Sequence, residues 1–118
     1  MRVSLCIAAC LAMAVCQSAS ADCTYPKAPE NIPNGSTASE SEMVTAMTAF
    51  KQYNSDVTAY LACLDEETAG KAKDAGSSVS VIMQMKAMQA KKHNSAVAEL
   101  KVLADKFNSE VRTFKSRK

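Results

Sequence analysis

Residues 43–64 read MVTAMTAFKQYNSDVTAYLACL, and the spacing of their apolar side chains decides the fold. Met43, Ala46, Phe50, Tyr53, Val57, Tyr60 and Leu64 succeed one another in alternating steps of three and four. With about 3.6 residues per turn, such positions form one stripe, the a/d seam of a helix that packs on helices. Just upstream, Thr37 with Glu40 and Ser39 with Glu42 make two overlapping capping boxes, each setting a carboxylate in the first turn. A helix is therefore predicted to begin there.

After Leu64 the rhythm fades into DEETAGKAKDAGSS, where Gly70, Gly76 and paired serines weaken helix, so the turn is predicted between Gly70 and Ser78. A second helix is expected from Ser77 or Ser78 to about Arg117, because no proline or glycine interrupts that span. Its seam reads Val97, Leu100, Ala104, Phe107, Val111 and Phe114, with His93 on the same line. At 1.5 Å per residue it would reach about 58 Å, too long to stand alone with one stripe to cover.

The segment CTYPKAPENIPNGS, residues 23–36, spaces Pro26, Pro29 and Pro33 at threes and fours, which makes it extended and polyproline-like before an Asn-Gly-Ser turn. That turn also spells a glycosylation sequon at Asn34, which matters only in a host that modifies exported proteins. About 25 helical residues span roughly 38 Å and the 14-residue arm roughly 43 Å, so the arm matches the first helix in length and can lie antiparallel along it. Tyr25 and Ile32 would supply its apolar contacts.

The first 21 residues carry one cation at Arg2, an apolar run from Val3 to Val15, and Ala19 and Ala21 at an A-x-A cleavage site, the plan of a secretory signal peptide. As a helix the run reaches only about 20 Å against a hydrocarbon core of about 30 Å, which excludes a membrane span. The lipobox-like IAAC at Cys10 has too few apolar residues before it. Expected domains are thus residues 1–21 as signal peptide, 22–37 as arm and 38–118 as helical hairpin. Cleavage leaves Cys23 and Cys63 as the mature cysteines, and in an oxidising compartment one intramolecular disulfide is the simplest outcome. A free thiol pair or an intermolecular bridge are the alternatives. The bridge would stabilise by about 4 kcal/mol in the chain-entropy model.

Charge separates along the chain: residues 22–74 hold nine acidic and four basic side chains, residues 75–118 three and nine. The two halves should attract. The closing FKSRK invites a nucleic-acid reading, but a dense basic patch with interleaved aromatics is missing, and cations in a last helical turn suit the dipole. No nucleic-acid partner is expected.

Three stretches, YNSDVTAY from Tyr53, HNSAVAEL from His93 and FNSEVRTF from Phe107, share a ring, Asn-Ser and hydrophobes four and seven residues on. In heptad register the rings and valines fall in the seam and Asn54, Asn94 and Asn108 flank it, so packing explains the recurrence better than ligand binding. MQMKAM places Met83, Met85 and Met88 at a thioether spacing that suits Cu(I), with His93 nearby. On a helix, however, Met83 and Met85 diverge by about 200°. Apolar filling at the hairpin tip is the preferred reading. The DEE run at residues 65–67 lacks a partner base, nucleophile elbow or phosphate loop, so no enzyme and no cofactor are expected.

The arm with its prolines, Gly35, Tyr60 and Cys63, together with the closing Phe107-Asn108 and Arg112, resembles a family of small exported helical proteins of Gram-negative proteobacteria without an assigned activity. The resemblance implies a helical fold and a periplasmic or secreted address, and brings no catalytic residues. The expectation is therefore an all-α protein, two long antiparallel helices with an extended Pro-rich N-terminal arm pinned by a disulfide. Its expected role is non-enzymatic, as a periplasmic or secreted interaction or structural module with a protein partner or a second copy as occupant of its helical surface. The alternative is a small-ligand or Cu(I) carrier using Met83, Met85, Met88 and His93; a membrane surface is the least favoured partner.

Overall fold

The computed structural model describes residues 22–76 and 78–117, and the expected signal peptide lies outside them. Two helices, α1 (Glu40–Asp74) and α2 (Val79–Ser116), pair antiparallel as the seam predicts: Phe50 stacks on Phe107 near one end, while Gln89 donates to Asp65 towards the other. Of the two capping boxes only one forms. The Ser39 Oγ accepts from the Glu42 N–H at 3.2 Å and the Ser39 N–H donates to Glu42 Oε2 at 2.6 Å. Thr37 is taken instead by the preceding turn, its N–H donating to the Asn34 carbonyl at 3.1 Å. The cap bonds hold the Glu42 carboxyl below the ordinary carboxylate range, so its contribution to stability exists above that range and is lost on acidification.

At its far end α1 carries Lys71 and Lys73 in the last turn, and Gly76 takes φ +62° just after it, as a helix-terminating residue in the left-handed region does. The turn thus falls inside the predicted window. Helix α2 starts on weaker signals, since the Ser78 side chain makes no capping bond and its first turn holds no acid.

The core divides into two clusters along the hairpin. Tyr53, Val57, Tyr60 and Leu64 meet Ala96 under the arm residues Cys23 and Ala28, while Met43 and Ala38 meet Phe107 under Ile32. The predicted α1 stripe is the observed one. On α2 one expected seam residue is displaced: Ala96 is fully buried and Val97 is 42 % exposed. Tyr53 and Tyr60 on α1 are bulky, and only a small side chain opposite them lets the helices close at interior density. The three Asn-Ser copies separate accordingly. Rings Tyr53 and Phe107 are buried and Asn54, Asn94 and Asn108 are exposed, but in the middle copy His93 is half-buried and its valine faces out.

The arm, residues 22–39, is fastened at both ends. The Cys23–Cys63 disulfide, with Cα atoms 5.8 Å apart, ties one end to α1. At the other, Asn34 Oδ1 accepts from the Ser36 N–H at 2.8 Å, and the turn presses its buried Gly35 onto α2. The Gly35 N–H donates to Glu110 Oε2 at 2.7 Å, and a Cβ there would stand 2.0 Å from the Glu110 carbonyl oxygen. Arg117 completes the closure, donating to the Ser36 and Ala38 carbonyls at 2.7 Å each while lying 4.8 Å over the Phe114 ring. The basic tail is spent, in part, on the fold.

Gly35→Ala should accordingly destabilise by about 1–3 kcal/mol, the usual overpacking cost. Gly70, whose Cβ would meet nothing within 4 Å inside a helix, should gain about 0.5–1 kcal/mol on substitution by alanine. Thermal melts followed at 222 nm should move in opposite directions for the two variants, and equal shifts would contradict the close approach at Gly35.

Candidate functional site

Three surfaces are left by this packing, and each follows from where the arm lies. The first is the arm itself. Its Tyr25 hydroxyl donates to Glu99 on α2, and its ring meets Tyr60 edge-on at 5.2 Å. Both the hydrogen bond to Glu99 and desolvation push the Tyr25 phenol well above its ordinary value. Tyr53 is 2 % exposed and its hydroxyl has no hydrogen-bond partner among the described residues; burial, then the Glu99 charge, raises it as well. This cluster joins arm, α1 and α2 at one point. It holds no nucleophile beside a base, and its chemistry is that of a clasp.

The second surface is the groove between the helices beyond the disulfide, where the arm no longer covers it. It has a volume of about 360 Å³ and is lined by Leu64, Val81, Met85 and Met88 together with Glu67, Lys71 and Lys92. Glu67 accepts from Lys71, which sets its carboxyl below and the Lys71 ammonium above their ordinary values. The structure brings together only part of the predicted thioether set. Met85 and Met88 share the groove, whereas Met83, 66 % exposed, and His93 are not among its walls. Among the described residues no group of three His, Cys, Asp or Glu side chains is placed to hold a metal ion.

The third surface lies opposite the arm. At about 100° per residue, Tyr60, Cys63, Glu99 and Glu110, all touched by the arm, sit on one shoulder of the two helices. Met47, Phe50 and Leu61 of α1 and Val97, Leu100 and Val111 of α2 sit on the other. Here Met47 is 38 % and Val97 42 % exposed, and the remainder are half-buried. Asn54 and Asn108 border this strip. No element of the described chain crosses it.

Sequence reading did not find Glu99, Glu110, Ala96 or the inward use of Arg117. Tyr25 and Glu99 are 74 residues apart, and no local pattern links residues at that separation. In the DEE run Asp65 and Glu66 are exposed and Glu67 is half-buried at the side of the groove, with Asp65 held by Gln89 and Glu67 by Lys71.

Compared with known proteins, the chain matches no protein-family model, no curated protein and no solved structure. No helix among the described residues is long and apolar enough to cross a membrane.

The clasp makes a pH prediction. Both phenols have raised values in the fold, so the stability tied to them is present below the unfolded value of 10.0 and declines as pH rises beyond it. Tyr25→Phe should flatten that alkaline decline and cost about 1 kcal/mol at neutral pH through the lost bond to Glu99. Tyr53→Phe, which deletes an unpartnered hydroxyl, should be neutral or stabilising. Chemical denaturation at neutral and alkaline pH measures all three. A Tyr25→Phe protein with the full alkaline decline would contradict the assignment.

Proposed function

We propose that this chain is an exported, non-enzymatic interaction module, periplasmic or secreted, that works through its helical surface. The observation that carries the reading is the apolar strip opposite the arm. A two-helix layer buries one side under its own arm and on the other leaves Met47 and Val97 exposed, beside Phe50, Leu61, Leu100 and Val111, which are half-buried against the core clusters. The export component is supported by the leader-like first 21 residues and by the Cys23–Cys63 bridge, which persists best in an oxidising compartment.

A second reading, a small-ligand or Cu(I) carrier, is favoured by one feature, the tip groove lined by Met85 and Met88. Thioethers suit both a soft cation and an adaptable apolar ligand. A Cu(I) titration that is unchanged when Met83, Met85 and Met88 are replaced by leucine removes the metal carrier.

The leading reading is tested with a photo-crosslinking residue at Val97 or, on the arm side, at the exposed Lys27, in protein purified from its native compartment. Intact mass should show a chain beginning at Asp22 with the disulfide formed, and adducts should arise at position 97 and not at 27. Adducts at neither position, or equal yields at both, would count against an interaction through the open strip.

A further inference from the structure

The groove towards the tip continues the channel that the arm fills. At about 100° per residue, Glu110 and Glu99, which the arm engages, fall on the same side of α2 as Lys92, Met88, Met85 and Val81, which line the groove. On α1 the side that carries Tyr60 under the arm carries Glu67 and Lys71 beyond it. The arm shows what this channel takes: an extended strand whose Tyr25, Ala28 and Ile32 recur every three or four residues and turn to the helices, close to the three residues per turn of polyproline. Beyond Cys63 the two helices go on, and no strand among the described residues lies between them. From Lys92 to Val81 the open part runs about 16 Å, the length of about five residues in polyproline form.

The polar groups along the channel change where the arm ends. Glu99 and Glu110 accept from the Tyr25 hydroxyl and the Gly35 N–H of the arm, whereas Lys92, next on that side, can only donate. Glu67 and Lys71 answer each other, and the Asp22 carboxylate also acts on Lys71. Lys92 makes no hydrogen bond or ion pair among the described residues, although its charge reaches Glu67. We infer that the tip groove binds a short extended peptide, proline-rich and apolar, whose terminal carboxylate meets Lys92. A strand that runs in the arm's direction arrives there with its C-terminus. Two of its apolar side chains, three residues apart, fall on the groove, where Met85 and Met88 adapt to their shape. Thr68 and Gln84, which also line it, can bond the strand's backbone, whose polar groups polyproline leaves free; a plain acyl chain has no use for them. This surface is separate from the open strip, so the inference goes beyond the reading above and stands or falls independently of the position-97 crosslinks.

The test is an NMR titration of the oxidised protein, isotopically labelled at its methionine methyl groups, with acetyl-Leu-Pro-Pro-Leu-Pro bearing a free carboxylate. The Met85 and Met88 signals should move and saturate, while those of Met83, which points away from the groove, and Met47 on the open strip stay still. Replacing the peptide's carboxylate by a carboxamide, a change that leaves the protein untouched, should weaken binding about tenfold, the usual size of a charge-assisted hydrogen bond. Lys92→Gln should lose the same factor for the acid peptide and nothing for the amide, and Lys86→Glu, on the opposite shoulder, should leave both affinities unchanged. No movement at millimolar peptide, equal movement of Met83, or a Lys92→Gln protein that still tells acid from amide overturns the inference. Dodecanoate that moves the same two signals at lower concentration than the peptide also overturns it, and gives the groove to a small amphiphile instead.

Discussion

Two antiparallel helices share one stripe, and a single stripe leaves the seam between them open to water on both sides. The pinned arm closes one of those sides. Its extended backbone, stiffened by Pro26, Pro29 and Pro33, is held by the disulfide at Cys63, by Tyr25 on Glu99, and by Gly35 against the backbone of α2. Ala28 and Ile32 then act as the third partner of two core clusters in which only a few side chains are fully buried. For a chain of this size, whose folding margin is only several kcal/mol, that closure is a substantial part of what makes the hairpin a defined structure.

The same arm decides where interaction can occur. Among the described residues it runs from Asp22 along one shoulder only, so none of them covers the groove towards the tip, lined by Met85 and Met88, or the opposite strip. It also engages Glu99 and Glu110, which their positions on α2 set on its own side. Fold and surface are thus coupled through a few residues.

Much of this was legible in the sequence because it is local and periodic. The α1 stripe from Met43 to Leu64, the Ser39–Glu42 cap, the turn before Ser78 and the length match between arm and helix all follow from spacing. What escaped is non-local. Val97 follows the heptad line and yet faces out, because the bulk of Tyr53 and Tyr60 opposite calls for the alanine beside it. Arg117 reads as part of a basic tail but bonds carbonyls 79 and 81 residues upstream. Gly35 reads as a turn glycine, and its turn is real, but the contact that requires glycine there comes from Glu110 at the opposite end of the chain.

The dependence of the core on the pinned arm is tested most directly by amide hydrogen exchange on the oxidised protein and on the same protein after reduction of Cys23–Cys63. If the arm closes the core, reduction lowers protection around Tyr53, Tyr60 and Ala96, the cluster beneath it, while the first turns of α2 at the tip, which the arm does not reach, change little. Protection around Tyr53 and Ala96 that is unchanged in fully reduced protein would contradict it, and would mean that the two helices hold their seam closed without the arm.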